Sequence, residues 1–182
     1  APREAAADAA FAAALAELDE VASPSATEVA VLRARHAAIV TALARAQLWA
    51  SEPARAEPLA RGVNARCEEF HWRWSEDEIQ HCDVWLHEGL AWRLLHDEAK
   101  ALSCFAAAAE LVERRDPDVG DSRHAPAILA RACLHAAESS LALQRPAEAV
   151  AWAERTWRAL PHPASDPRAW AARIVQARAL AA

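Results

Sequence analysis

The chain has 182 residues, enough for one domain with a sizeable buried core. Its formal charge is −6, from 20 basic and 26 acidic residues, which excludes a polyanion as main ligand because phosphate binding needs a basic surface. No apolar run approaches the roughly 20 residues of a membrane span.

Alanine supplies more than a quarter of the residues, Gly occurs only 3 times, and Met and Tyr are absent. This composition favours helix throughout, since Ala has the highest helix propensity and Gly nearly the lowest. Small Ala accounts for most of the 54% hydrophobic content, so specific packing falls to 8 Trp, 3 Phe and the branched aliphatics. Arg replaces Lys everywhere except Lys100, which fits a GC-rich bacterial genome. Glu4, Asp8 and Glu17 interrupt the Ala-rich start, so it reads as a helix rather than a signal peptide. Four cysteines without a secretory signal point to a reducing, cytoplasmic setting.

Pro and capping residues divide the chain. A first helix covers residues 2–21, with Phe11, Leu15 and Leu18 on one stripe, and Ser23-Pro24-Ser25 ends it. Ser25 and Glu28 form a capping box for a second helix reaching about Ala50. Ser51 caps a third helix ending near Trp72, and Ser75 with Glu78 caps a fourth that ends about His96. A fifth runs to Arg115, before a loop over residues 116–121. The sixth covers residues 123–143, the seventh starts at Pro146 and ends at Pro161, and Ser165-Asp166-Pro167 opens the eighth. Short connections make consecutive helices antiparallel neighbours.

Trp85, Gly89, Trp92, Ala101, Phe105 and Ala108 set small residues where two helices must approach, with aromatics beside them. In that spacing the segment resembles the tetratricopeptide repeat. A weaker unit uses Ala137, Ala149 and Pro161, and a degenerate one uses Leu43, Ala44, Ala56 and Ala60. The units are offset by 45 residues (Ala44 to Gly89) and 48 (Gly89 to Ala137), longer than the family's roughly 34. The resemblance implies an all-α fold of eight antiparallel helices, stacked as helix-turn-helix pairs in a right-handed α-solenoid. Residues 1–182 then form one domain: an N-terminal capping helix (1–25), three irregular pairs (26–161) and a C-terminal capping helix (162–182).

Three isolated glycines cannot build a phosphate loop, a dinucleotide fingerprint or a nucleophile elbow, and no catalytic motif occurs. The unusual stretch is residues 67–85. Cys67 and His71 stand at i, i+4 on one helix, Glu78 and Cys82 at i, i+4 on the next. Folded antiparallel, they would set two thiols, an imidazole and a carboxylate level, a ligand set for zinc. Both cysteines also fit apolar helix faces, where free Cys acts as a small buried hydrophobe.

In tetratricopeptide proteins the first helix of each pair lines a concave groove. Transferred through Ala44, Gly89 and Ala137, the groove positions include Arg45, Leu48 and Trp49; Asp83, Leu86, Leu90 and Arg93; and Arg131, Leu134 and Glu138. The resemblance implies a non-enzymatic interaction module (adaptor, chaperone or regulatory subunit) binding a partner peptide or helix there. Arg45, Arg93 and Arg131 on adjacent rows would favour an acidic partner. A peptide or small-ligand sensor using the same groove is the first alternative. A metal or thiol protein centred on Cys67 and Cys82 is the second. Trp72 and Trp74 are further candidate binding aromatics, and the Ala-rich terminal helices leave homo-oligomerisation open.

Overall fold

The computed structural model describes residues 2–22, 27–73, 79–114 and 124–181. The described residues are all-helical: α1 (Pro2–Val21), α2 (Glu28–Leu48), α3 (Pro53–Arg73), α4 (Ile79–Leu94), α5 (Glu98–Arg114), α6 (Ala125–Ala142), α7 (Pro146–Ala159) and α8 (Pro167–Leu180), with one 3-10 turn at Pro163–Ser165. No strand occurs among them. No helix is long and apolar enough to cross a membrane among the described residues.

Local chemistry sets the helix ends. Thr27, not Ser25, is the N-cap of α2, its hydroxyl accepting from Ala30 N at 3.4 Å. Ser25, Trp74, Ser75, Glu78 and the loop over residues 116–121 lie outside the described residues. Expected as the N-cap of α3, Ser51 instead sits one residue too early: the first helical carbonyl is that of Glu52, which accepts from Arg55 and Ala56. Asp166 caps α8 as its sequence suggests, accepting from Arg168 N at 2.9 Å with Pro167 following.

Two turns are built alike. His96 (φ 59°) ends α4 and Gln144 (φ 58°) ends α6, each left-handed although neither is glycine. After His96, Asp97 N bonds Trp92 O and His96 N bonds Arg93 O, both at 3.0 Å. After Gln144, Arg145 N bonds Ser140 O at 2.9 Å and Gln144 N bonds Leu141 O at 3.0 Å. Both are Schellman closures, and each stands seven residues beyond Gly89 or Ala137.

Each helix packs on the next, while α2, α4, α6 and α8 also touch one another in series. No comparable contact links α1, α3, α5 and α7 among the described residues. The core divides at α4. Val84 and Ala91 face a cluster with Leu32, Ile39, Leu43, Val63, Cys67 and Phe70. Leu86 faces the larger cluster with Phe105, Ala108, Ala137, Ala149 and Trp152.

Gly89 makes the predicted close approach, but the nearest atoms belong to the Phe105 ring rather than to Ala101. A β-carbon there would press on Phe105 Cε1 and lie 2.7 Å from Cδ1. Phe105 is fully buried, and such burial contributes about 1.5–3 kcal/mol. By contrast, α1 has no buried residue. Asp8 and Asp19, eleven residues (three turns) apart on one face, tie it down. Asp8 pairs with Arg45 at 2.7 Å, and Asp19 with Arg66 at 2.8 Å.

Candidate functional site

At 100° per residue, α4 carries polar groups on two well-separated sides. Gln80, Asp83 and His87 point one way, towards α2 and α6. His81, Trp85, Glu88 and Trp92 point the other, towards α3 and the start of α5.

On the first side, His36 from α2 places Nε2 3.1 Å from Asp83 Oδ2, and His87 Nδ1 stands 3.8 Å from the same oxygen. Arg131 of α6 brings Nη1 to 3.7 Å from Asp83 Oδ1, an ion pair beyond hydrogen-bond length. A cavity of about 330 Å³ opens between the three helices, lined by His36, Gln80, Asp83, Ala127 and Arg131, with His124 at α6's first turn. Asp83 Oδ1 and Gln80 Oε1 are buried at its wall without a hydrogen-bond partner, as is His87 Nδ1 behind Asp83. Buried polar atoms are nearly always matched, so three orphans on this side of α4 mark an unusual place.

Burial would raise the Asp83 pKa, but the His36 hydrogen bond and the fields of His87, His36 and Arg131 outweigh it and hold the carboxyl below its ordinary range. His87 moves to about 4, because burial disfavours its charged form more than Asp83 favours it. Its imidazole is therefore neutral near pH 7.

On the second side, His71 of α3 stacks on Trp85 with ring centroids 3.9 Å apart. Its Nε2 lies 3.0 Å from Glu88 Oε2 and its Nδ1 2.8 Å from His81 Nε2. If Nε2–H donates to the carboxylate, Nδ1 is left to accept from His81 Nε2–H. Trp92 Nε1 donates to the other Glu88 oxygen at 3.2 Å. This chain walls a cleft of about 660 Å³, also lined by Arg61, Asn64 and Leu95. Both amide atoms of Asn64 are buried without a partner.

Of the residues expected to form a zinc site, Glu78 lies outside the described residues, and Cys67, His71 and Cys82 do not share a cluster. Cys67 packs in the α2–α3–α4 core and Cys82 in a separate cluster with Leu111, Val112 and Ile128. Burial, and then the Glu88 charge, push the Cys67 thiol well above its ordinary value, the reverse of an activated ligand. His71 serves the Glu88 chain instead. Among the described residues, the one group of His, Cys, Asp and Glu close enough to share an ion is His36, Asp83 and His87.

The expected groove residues also divide. Asp83 and Arg131 meet at the α2–α4–α6 cavity. Arg45 is committed to Asp8, as is the indole N–H of Trp49, which is only 3% exposed and lies beneath the Arg55 guanidinium. Arg93 pairs with Glu138 at 2.8 Å and reaches Glu98 at 3.6 Å. Leu86 and Leu134 are buried, and Leu48 and Leu90 half-buried. Each arginine of the expected stripe thus has an internal acid as its partner, with the Arg131–Asp83 pair the longest at 3.7 Å. Trp72 is 88% exposed near the end of α3.

The sequence reading missed His36. Asp83 and His87 are a visible i, i+4 pair, but His36 lies 47 residues from Asp83 and has no local spacing to announce it. Compared with protein-family profiles, curated proteins and solved structures, the chain matches none.

Proposed function

We propose that this chain is a helical-repeat module of the tetratricopeptide type that receives a segment of another protein on its α2–α4–α6 face. The observation that carries the reading is the repeated turn: the same Schellman closure recurs 48 residues on, at His96 and Gln144, in register with Gly89 and Ala137. Local repetition of that kind fits α4–α5 and α6–α7 as equivalent antiparallel pairs, with α2–α3 a divergent third and α1 and α8 as caps. Serial contact of α2, α4, α6 and α8 supports placing them on the inside of a curved stack. Along α2, Val29, Arg33, His36 and Val40 recur at i, i+4, i+7 and i+11, and Val29 and Val40 are 57% and 40% exposed. Exposed valines in line with the cavity suit a partner's apolar side chains.

A photo-crosslinking residue at position 40 tests this in the source cell extract, with the exposed position 99 of α5 as reference. A discrete protein adduct at 40, absent at 99 and lost on Arg131→Glu, is the expected result. Equal labelling at both positions would contradict it. A second reading, a small-ligand binder, is favoured by the 660 Å³ cleft with its two Trp rings and the unmatched Asn64 amide, a size and lining typical of ligand pockets.

A further inference from the structure

We propose that His36, Asp83 and His87 form a binding site for a divalent first-row transition ion, with zinc the simplest occupant. It goes beyond the partner-binding reading and stands on geometry alone. His36 Nε2 and Asp83 Oδ2 are 3.1 Å apart, His87 Nδ1 and Asp83 Oδ2 3.8 Å, and all three ligand atoms lie within 4.8 Å of one another. Metal–ligand bonds of about 2.0–2.1 Å place neighbouring ligand atoms about 3.0–3.4 Å apart, so the triangle needs only small side-chain adjustment to close on an ion.

A satisfied histidine cluster would account for the same proximity, and here the hydrogen bonding decides. His87 is only 6% exposed, and its Nδ1 has no hydrogen-bond partner although it points at the carboxylate. At 3.8 Å the nitrogen is too far to donate to Asp83 and is placed to share an ion with it. Asp83 and His87 are one helical turn apart on α4, so the backbone holds two ligands in fixed register while α2 brings the third. Two imidazoles and one carboxylate suit zinc, iron, cobalt or nickel better than calcium or magnesium, which prefer oxygen. The cavity beside them leaves room for further ligands, and Gln80 Oε1 is one unmatched acceptor at its wall.

Arg131 is the opposing charge. It approaches Asp83 through Oδ1, while both histidines face Oδ2, so the carboxylate can bind an ion on one oxygen and keep the guanidinium on the other. Such outer partners commonly orient a ligating carboxylate. The Arg131 side chain is 40% exposed, so solvent reaches the guanidinium beside the carboxylate.

The test is a cobalt titration of the full chain, because Co²⁺ reports its ligands by absorption. Saturable binding with visible d–d bands and no thiolate charge-transfer band is expected, with zinc displacing cobalt. His36→Gln should weaken binding at least about tenfold, and His71→Gln should leave it unchanged. Imidazole NMR of the unaltered protein, titrated with zinc, supplies the same answer without a variant: His36 and His87 should shift and His71 should not. Absence of saturable binding, indifference to His36→Gln, or a thiolate band would each overturn the proposal.

Discussion

The two sides of α4 use the same materials and reach opposite ends. Towards α3, Glu88 of α4 spends both oxygens on His71 and Trp92, and His71 spends its second nitrogen on His81. The unmatched Asn64 amide of α3 takes no part in this chain of bonds. Towards α2 and α6, Asp83 bonds His36 through one oxygen, while its other oxygen, His87 Nδ1 and Gln80 Oε1 are buried without partners. A closed network fixes the position of a helix. An open one keeps its polar capacity for something that arrives from outside. Removing a group from the closed side should therefore damage folding, and removing one from the open side should damage binding.

The largest effect is expected at Glu88. Glu88→Ala strands the Trp92 N–H and a His71 nitrogen together, which should cost about 2–4 kcal/mol in urea unfolding. A loss below about 1 kcal/mol would show that the network does not bear on stability. Next is Gly89→Ala, where the new methyl lands against the Phe105 ring and should cost about 1–3 kcal/mol despite alanine's better helix propensity. Gly62→Ala gives the reference, since nothing lies within 4 Å of a β-carbon there. It should stabilise by up to about 1 kcal/mol.

Asp83→Asn keeps the shape of the side chain and should cost about 1 kcal/mol or less, because its partners are half-exposed or distant. If it proved as destabilising as Glu88→Ala, the contrast between the two sides would disappear.

The smallest effect concerns acid. Burial would raise the Glu138 pKa, but hydrogen bonds from His135 and Arg93 outweigh it and hold the group near 2, below the ordinary 4.5. Asp8, bonded by Arg45 and Trp49, and Asp166, bonded by Arg168, are likewise near 2 against 3.8. Lowered carboxylates stabilise the fold above their ordinary values and lose that contribution as protons bind. Thermal unfolding should be insensitive to these groups above pH 5, then fall progressively between about 4.5 and 2. Arg93→Gln should flatten that fall. An unchanged slope would mean that the Arg93–Glu138 pair contributes nothing.

Much of the helix map was legible because its marks are local. Pro2, Pro146 and Asp166-Pro167 stand where helices begin, and Gly89 marks a close approach, though to Phe105 rather than to the expected Ala101. The charged groups were not legible in the same way. Arg45, Arg93 and Arg131 were expected on one face, but the acids that meet them come from α1, from α5 and α6, and from α4. The spacing within one helix cannot reveal a partner supplied by another, as Asp8 of α1 is for Arg45. The cysteines misled for a related reason: equal height on two helices does not set two side chains towards each other, and Cys67 and Cys82 turned into different clusters.

The most direct test of this difference is a zinc-edge anomalous map from crystals of the full chain grown with zinc. A peak within bonding distance of His36 Nε2, Asp83 Oδ2 and His87 Nδ1, with none at the His71–Glu88 chain, is the predicted result. A map with no peak at Asp83, or with the ion at His71 and Glu88 or at a cysteine, would contradict it.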